Sequence, residues 1–265
     1  MKNILIKSLI LCATAVASEH LIVIDPGHGG SKSSGTQSAH TLSSANNATS
    51  PSGLKEKDLT LELSKEIAKQ IDLLAKSHPK TKIEYVFTRS DDTNPDFAQR
   101  AMTCANTRKT PSAILSIHFN ASESHNALGT LAVIRHKKIN TNYERDHEFA
   151  MHVTNATSSA VSLFVDGSKP KPPITDAHLH NGAGSNFFWQ LALHQSLSKV
   201  PKCFLEVEFM DRKDVESKLL KAKETTFPVI GKAIAESLYA YCAKQADESA
   251  SKQATLHSSG ASAQR

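Results

Sequence analysis

The chain has 265 residues, of which 39% are hydrophobic and 22% are charged, and its formal net charge is +5. A chain of this length can bury one substantial core, so we expect a single domain with short appendages. The mild basic bias contains no long run of one sign, which argues against a nucleic-acid-binding protein and suits a partner that carries carboxylates or phosphates.

The N-terminal residues have the three parts of a secretory signal peptide. Lys2 and Lys7 supply positive charge, an apolar stretch follows, and Ala15 and Ala17 form an A-x-A arrangement. We therefore expect residues 1–18 to be a cleaved signal peptide. The apolar stretch is shorter than the roughly 20 residues that a membrane-spanning helix needs, so we expect no membrane span.

Short apolar runs and helical spacing alternate along the rest of the chain. LIVID at residues 21–25 is a continuous apolar run, which is typical of a strand buried on both faces. In residues 56–74 the apolar side chains recur every three or four positions, which predicts an amphipathic helix. By the same criteria the predicted strands are residues 21–25, 83–88, 113–117, 129–135, 187–193 and 203–209. The predicted helices are residues 56–74, 96–107, 144–165, 213–220 and 227–241.

Two polar segments interrupt or follow these elements. Residues 31–53 are rich in Ser, Asn, Thr and Gly and form a long loop, a class of segment that is often functional. Residues 245–265 have low complexity and cannot bury a core, which predicts a disordered polar tail. Strands that alternate with helices predict an α/β domain with a mostly parallel sheet in residues 19–244, and we expect no separate second module.

Three cysteines follow the signal peptide, namely Cys104, Cys203 and Cys242. Their odd number and wide spacing exclude a disulfide framework or a cysteine-rich metal site. Cys104 and Cys203 lie in apolar patterns and are predicted to be buried thiols. The sequence leaves open whether one pair of the three forms a disulfide in an oxidising compartment.

Several predicted elements carry a group that can bind a metal or move a proton. His28 follows the first strand, His118 follows the strand at 113–117, Glu206 lies inside the last strand, and Glu56 opens the first helix. In α/β sheets the ligand site lies beyond the carboxyl ends of the strands. Two imidazoles and one carboxylate make a hydrolytic zinc site with an open fourth position, and a second carboxylate supplies a general base.

Each of these residues also has an ordinary structural explanation. A histidine at a strand end is often only hydrogen-bonded, and Glu56 alone can be a helix N-terminal acid that the helix dipole favours. Glu206 is harder to explain in this way, because an unpaired, ionised carboxylate buried in an apolar strand is strongly destabilising. All four residues are expected near the same edge of the sheet, and this convergence favours a metal site.

Six short segments carry a family resemblance. They are IDPGHGG at 24–30, GLKEKDLTLEL at 53–63, FTRSDD at 87–92, RAMTCAN at 100–106, LSIHFNAS at 115–122 and FLEVEFM at 204–210. In this order they resemble the zinc-dependent N-acetylmuramoyl-L-alanine amidases, a family that includes the cell-separation amidases of Gram-negative bacteria. The resemblance covers the chain from Leu21 to about Tyr241.

The resemblance implies a single α/β domain with a twisted, mostly parallel or mixed six-stranded sheet flanked by helices, the amidase_3-like fold. It implies that His28, Glu56 and His118 bind one Zn²⁺ ion and that Glu206 is the catalytic acid and base. The implied reaction is hydrolysis of the amide between N-acetylmuramic acid and L-alanine in peptidoglycan, for cell-wall remodelling or cell separation. The implied partner is peptidoglycan, and the need for a protein activator stays open. The predicted signal peptide indicates export to the periplasm.

The sequence also offers candidate residues for contact with the substrate. Glu208 stands where the family usually has glycine, and two positions after Glu206 it is expected on the same face of the strand. The register of the motif favours Glu206 as the base. We expect Asn120, Glu208 and Ser52 to contact the substrate, and the loop at 31–53 to border the substrate groove.

Two other functions stay open at this point. Ser52-x-x-Lys55 matches the S-x-x-K pattern of penicillin-sensitive serine enzymes and suggests a D-alanine carboxypeptidase activity. The other alternative is a catalytically inactive protein that only binds peptidoglycan. The products separate these functions, because the amidase releases stem peptides whereas the serine enzyme releases terminal D-alanine.

Some division amidases close the zinc site with an inhibitory helix before the catalytic glutamate. Residues 135–187 contain one predicted helix and then a segment rich in Pro and Gly, so we expect an enzyme without this plug. His178 and His180 lie in that segment, and we do not expect these loop histidines to bind the metal.

Overall fold

The computed structural model describes residues 17–36, 38–177, 179 and 184–262, with side chains described as far as Ser251. They form an α/β domain in which helices flank one six-stranded sheet. The strands are β1 (Ser18–Pro26), β2 (Thr81–Phe87), β3 (Ala113–Asn120), β4 (Leu131–Ile134), β5 (Ile174–Thr175) and β6 (Lys202–Phe209). The helices are α1 (Glu56–Leu74), α2 (Phe97–Ala105), α3 (Tyr143–Val161), α4 (Asn186–Ala192), α5 (Lys213–Val215) and α6 (Lys223–Ser262).

The sheet is mixed, with the strand order β2-β1-β3-β6-β4-β5. β2, β1, β3 and β6 are parallel neighbours, whereas β4 runs antiparallel to β6 and parallel to β5. This confirms the fold class that the sequence predicted. Because β1, β3 and β6 are adjacent and parallel, the groups near their carboxyl ends meet at one edge of the sheet.

Two hydrophobic cores cover the two faces of the sheet. Alternate residues of β1 divide between them, since Ile22 and Ile24 face one core and Val23 faces the other. The first core contains apolar side chains of α1, α3 and α6, including Leu63. The second is smaller and contains residues of α2 and α4, including Phe188. Burial of the central strands on both faces explains their continuous apolar runs.

One predicted strand is wrong. Residues 187–193 belong to α4, and the Ser185 side chain caps this helix by accepting a hydrogen bond from Phe187 N at 3.2 Å. Phe187, Phe188 and Leu191 are buried on one side of α4. A short apolar run is compatible with both a strand and a buried helix, so its composition did not separate the two.

Other boundaries also differ from the sequence predictions. β5 has only two residues and lies in a segment that was predicted to be loop. The predicted helix at 213–220 is a turn of α-helix followed by a π-helical turn at Glu216–Leu220. α6 continues to Ser262, through a segment that was predicted to be disordered, because its Ala, Glu, Lys and Gln residues favour helix. The division into signal peptide, domain and tail stays a prediction.

The three described cysteines are free thiols buried in the cores. Burial raises the pKa of all three thiols, that of Cys242 to about 12. This confirms the prediction of buried thiols for Cys104 and Cys203. In the described part of the chain, no helix has the length and apolar character to cross a membrane.

Candidate metal centre

Three of the predicted site residues meet at the carboxyl edge of the sheet. His28 Nε2 lies 3.2 Å from Glu56 Oε1, and His118 Nδ1 lies 3.1 Å from the same oxygen. One possible ligand atom of each residue lies within 4.8 Å of those of the other two. The two imidazole rings are nearly perpendicular, at 87°, with centroids 5.0 Å apart. Within the described residues, this is the one group of its kind that could share a metal ion.

The backbone places each of these side chains. His28 follows β1 with a positive φ of 61°, which is uncommon for a residue other than glycine, and Arg100 Nη2 donates to its carbonyl oxygen at 2.6 Å. Glu56 is the first residue of α1, and His118 lies on β3. A Cβ atom on Gly27 would lie 2.3 Å from His118 Cε1, so only glycine leaves room for this imidazole.

Hydrogen bonds determine which nitrogen of each ring is free. His28 Nδ1 lies 2.9 Å from the carbonyl oxygen of Ser44, which can only accept, so Nδ1 carries the proton. Ser116 Oγ donates to Asp25 Oδ2 at 2.5 Å and therefore accepts from His118 Nε2 at 3.1 Å. In the neutral rings, Nε2 of His28 and Nδ1 of His118 thus have free lone pairs, and both point at the same carboxylate.

That carboxylate belongs to Glu56, which is buried and fixed by the backbone. Its Oε2 accepts from Ala48 N at 3.0 Å and its Oε1 accepts from Phe119 N at 3.2 Å. Burial raises the pKa of Glu56, but the adjacent His118 and His28 rings outweigh burial and hold the pKa below its ordinary value, because a ring that gains a proton donates it to this carboxylate. Glu56 is therefore ionised at neutral pH.

The donor set fits a divalent metal ion. Two unprotonated ring nitrogens and a carboxylate oxygen lie at hydrogen-bond distance with no proton to share, so a cation between them would relieve their mutual repulsion. Two imidazoles with one carboxylate are ligands of catalytic zinc sites. The other nitrogen of each ring binds a carbonyl or hydroxyl oxygen, as in metal sites where outer hydrogen bonds orient the histidines.

Two buried arginines hold the turn after β1, and the sequence patterns did not identify this role. Arg100 Nη1 donates to Asp25 Oδ1 and to the Pro26 carbonyl oxygen, both at 2.8 Å. Arg89 Nε donates to the same Pro26 oxygen at 2.9 Å, and its Nη2 donates to the Gly27 oxygen at 2.8 Å. The motifs FTRSDD and RAMTCAN contain both arginines, but their spacing gives no sign that they bind main-chain carbonyls.

Glu206 faces the same cavity from the neighbouring strand. It is paired with His118 in the register of β3 and β6. Its Oε2 is buried and has no hydrogen-bond partner among the described residues. Burial raises the pKa of Glu206 well above its ordinary value, and the negative charge of Glu56 raises it further. A carboxylate with a raised pKa is a stronger base than that of an ordinary glutamate, which suits proton transfer.

A β-bulge separates Glu206 from Glu208. His118 pairs with Glu206, but two residues later Asn120 pairs with Phe209, so β6 contains one extra residue. A bulge of this kind interrupts the alternation of side chains along a strand. The prediction that Glu206 and Glu208 share one face is therefore wrong.

Glu208 is fully buried and its carboxylate is saturated with hydrogen bonds. Oε1 accepts from Gly129 N at 2.7 Å and from Phe209 N at 2.9 Å, and Oε2 accepts from Ser168 Oγ at 2.5 Å. These contacts connect β6 to the segments around β4 and the end of α3. Glu208 is not among the residues that line the cavity, and its contact with the substrate stays a prediction.

Asn120 and Ser52 also make local contacts. Asn120 Oδ1 accepts from Ala121 N at 2.8 Å. Ser52 Oγ and Ser52 N both donate to Glu216 Oε1, at 2.5 and 2.8 Å. Neither residue is among those that line the cavity beside the metal centre. Their roles in substrate binding, and the reactivity of Ser52, stay predictions.

A cavity of about 380 Å³ adjoins the metal centre. Leu42, Ser43, Ser44 and Asn47 of the long loop line one side, as the sequence led us to expect of residues 31–53. The start of α4 lines the same cavity, and the expectation of an enzyme without an inhibitory helix stays a prediction. The lining also includes His28, His118, Phe204 and Glu206. His178 and His180 lie outside the described residues.

Comparison with known proteins gives the family and the fold. The family model Amidase_3, described as N-acetylmuramoyl-L-alanine amidase, matches residues 22–240. The catalytic domain of CwlV, an N-acetylmuramoyl-L-alanine amidase from Bacillus (Paenibacillus) polymyxa var. colistinus, has a TM-score of 0.57 and 22% sequence identity over 84% of this chain and 97% of that chain. No curated protein matches the chain significantly.

Two other solved amidases have the same fold. The N-acetylmuramoyl-L-alanine amidase AmiC2 of Nostoc punctiforme is 20% identical, covers 85% of this chain and 98% of its own, and has a TM-score of 0.56. Ami1 from Mycobacterium smegmatis is 16% identical, covers 87% of this chain and 100% of its own, and has a TM-score of 0.58. At these identities the structures support the fold, and the family model supports membership over most of the chain. The chain therefore belongs to the Amidase_3 family of N-acetylmuramoyl-L-alanine amidases.

Proposed function

We propose that this amidase is zinc-dependent and hydrolyses the amide between N-acetylmuramic acid and the L-alanine of the stem peptide in the periplasm. The observation that carries the proposal is the meeting of two unprotonated imidazole nitrogens with the Glu56 carboxylate, beside an acid with a raised pKa. Membership in the amidase family supplies the substrate class.

The choice of zinc follows from the ligand types. A site with two histidines and one carboxylate suits zinc, whereas magnesium and calcium prefer sites made of oxygen ligands. A bound zinc ion supplies Lewis acidity toward the amide carbonyl and toward a water molecule. The residues that would hold it are His28, Glu56 and His118.

Glu206 moves the proton in the proposed reaction. Its carboxylate lines the cavity, and one of its oxygens makes no hydrogen bond within the described residues. As the attacking water forms a bond to the amide carbon, Glu206 takes the water proton and passes it to the amide nitrogen as the C–N bond breaks. The products are the free lactyl carboxyl group and the free amine of L-alanine. Because burial raises the pKa of Glu206, its carboxylate is a stronger base toward the water proton than that of an exposed glutamate.

The location and the biological role are proposed on the sequence alone. The charged, apolar and small-residue parts of residues 1–18 support export to the periplasm. The resemblance to the cell-separation amidases supports a role in cell-wall remodelling or in the separation of daughter cells. Peptidoglycan is the proposed partner in both roles.

Product analysis tests the proposed reaction. Purified, zinc-loaded protein is incubated with sacculi, and the soluble products are identified by mass spectrometry. We expect intact stem peptides that begin with L-alanine, loss of these products with a chelator, and their return when zinc is added. Release of terminal D-alanine instead would support the serine enzyme, and wall binding without any product would support the inactive protein.

A further inference from the structure

The outer face of α4 carries an exposed tryptophan beside the metal cavity. The inner face of this helix is buried through Phe187, Phe188 and Leu191, whereas Trp189 and Leu193 are 42% and 60% exposed. Residues three or four positions apart share a helix face, so these two side chains lie side by side. Large apolar side chains in such an exposed group mark binding surfaces.

The inner face fixes α4 to the metal centre. The ring of Phe188 stacks on Phe204 with centroids 4.2 Å apart, and the Phe204 ring lies 5.4 Å from the ring of His118. One aromatic side chain thus separates α4 from a proposed metal ligand. The outer face of α4 therefore has a fixed position relative to the place where the amide bond is broken.

The long loop adds two exposed side chains to this face. Asn186 Nδ2 donates to the Ala39 carbonyl oxygen at 3.1 Å, and Gln190 Nε2 donates to the His40 carbonyl oxygen at 3.0 Å. The His40 ring lies 5.3 Å from the ring of Trp189, tilted by 39°. These hydrogen bonds hold the loop and the helix together without involving the rings.

We call the four exposed side chains His40, Leu42, Trp189 and Leu193 the rim patch. Leu42 is 51% exposed and also lines the metal cavity, so the rim patch is continuous with that cavity. His40 is four residues from Ser44, which fixes His28, and four residues of chain span at most roughly 14 Å. A ligand with one end in the cavity can therefore reach the rim patch with the other end.

We infer that the rim patch binds a sugar ring of the glycan strand, next to the muramic acid that carries the scissile amide. This inference rests on the proposed function, because that reaction places a glycan at the cavity. The rim patch contains no lysine, arginine, aspartate or glutamate, which suits a neutral sugar better than the carboxylates of a stem peptide. A sugar ring has an apolar C–H face for the indole and polar edges for the imidazole and water.

Binding can be measured directly, because Trp189 is the only tryptophan in the chain. The full zinc-loaded protein is titrated with the peptide-free disaccharide of N-acetylglucosamine and N-acetylmuramic acid, and with the free stem tetrapeptide. We expect a saturable change in tryptophan emission with the disaccharide and none with the tetrapeptide. A flat titration with the disaccharide, or a response to the tetrapeptide alone, would overturn the inference.

Kinetics then separate sugar binding from a structural role of Trp189. Two substrates are compared, the disaccharide-peptide and a lactoyl-peptide that has the same amide but no sugar. For Trp189→Ala we expect about a 10-fold rise in KM for the disaccharide-peptide with little change in kcat, which corresponds to about 1.4 kcal/mol of lost binding. The lactoyl-peptide is expected to react equally with both proteins, and Trp189→Phe to recover most of the loss.

Leu73→Ala is the matched control, because Leu73 is 63% exposed on α1 and does not line the cavity. It should leave both substrates unaffected. An equal loss on both substrates in Trp189→Ala would assign Trp189 a structural role and overturn the inference. If the wild-type protein cleaved neither substrate, the proposed function itself would fail, whereas cleavage of both without any effect of Trp189→Ala would reject the rim patch alone.

Discussion

Glu206 and Glu208 lie two positions apart on one strand and have opposite surroundings. Glu206 faces the cavity with one oxygen unpartnered in the described structure, whereas Glu208 accepts three hydrogen bonds from Gly129, Phe209 and Ser168. Both are carboxylates largely removed from water. The difference shows that nearby donors, and not burial alone, decide whether a carboxylate oxygen is left without a hydrogen-bond partner.

The β-bulge between these glutamates explains how one strand supports both. A regular strand would turn both side chains to the same face, but the extra residue in β6 breaks the alternation. Glu208 then binds the β4 side of the fold, while Glu206 stays opposite His118. Two carboxylates that are close in sequence therefore have different partners and need not compete for the same ligand.

The largest expected effect is the loss of activity in Glu206→Gln. The variant keeps the shape of the side chain but cannot take a proton from water, so we expect kcat to fall about 10²- to 10⁴-fold. The unfolding midpoint in urea should stay close to the wild-type value or rise, because the variant removes a buried acid. Rates are measured with a purified muropeptide and zinc-loaded protein.

Glu208→Gln is the control for this comparison. It replaces an acceptor-only group with one that carries donors, which leaves buried donors without partners and costs about 1–3 kcal/mol of stability. The activity per folded molecule should be retained. If Glu208→Gln lost activity while Glu206→Gln kept it, the assignment of the two glutamates would be reversed.

Arg100→Met is expected to be the most destabilising substitution. Arg100 is 1% exposed and pairs with the buried Asp25 at 2.8 Å, so its loss leaves a buried charge unpaired and costs about 3–5 kcal/mol. Arg108→Met is the matched control, because Arg108 pairs with Glu84 at the surface and its loss costs about 0–1 kcal/mol. Urea unfolding of both variants measures the difference, and equal losses would contradict a structural role of the buried arginine.

Gly27→Ala should weaken the metal centre without removing a ligand. The new methyl group would overlap the His118 ring and displace it, so we expect the zinc affinity to fall about 10- to 100-fold, as for other changes next to a metal ligand. Gly53→Ala is a suitable control, since no heavy atom lies within 4 Å of a Cβ there, although its φ of +94° costs some stability. Competition with a fluorescent chelator gives both affinities, and an unchanged affinity in Gly27→Ala would show that the ring is not crowded.

Glu216 is a third carboxylate held by hydrogen-bond donors, and the pH dependence of stability gives a smaller test of this effect. Burial raises its pKa, but hydrogen bonds from Ser50 and Ser52 outweigh burial and lower the pKa from 4.5 to about 2. Since the folded pKa is the lower one, the stabilisation is fully present above pH 4.5 and is lost as the pH falls from 4.5 toward 2. Between pH 4.5 and pH 2, the urea unfolding midpoint of Glu216→Gln should fall less with decreasing pH than that of the wild type. An equal fall in both proteins would contradict these contacts.

Much of the fold and part of the site followed from the sequence. The apolar run at 21–25 and the periodic spacing at 56–74 located β1 and α1, and the strand ends drew attention to His28 and His118. The structure brings both histidines to Glu56, as expected. These features are local or repeat along the chain, so a sequence pattern can show them.

The features that were missed depend on contacts between distant residues. The bulge at Glu208 depends on the register between β3 and β6. The role of Arg100 depends on main-chain carbonyls 72 and 74 residues away and on the Asp25 carboxylate. The strand predicted at 187–193 is a helix because Ser185 caps it and its aromatic side chains pack on β6. Composition alone carries no information about such partners.

Metal analysis tests the central claim most directly. The full protein and a His28→Ala, His118→Ala double variant are loaded with zinc, freed of excess metal and analysed by mass spectrometry of the elements, with circular dichroism to verify folding. We predict one zinc ion per chain in the wild-type protein and none in the folded double variant. One zinc ion per chain in the folded double variant would show that the metal binds elsewhere and would contradict the account.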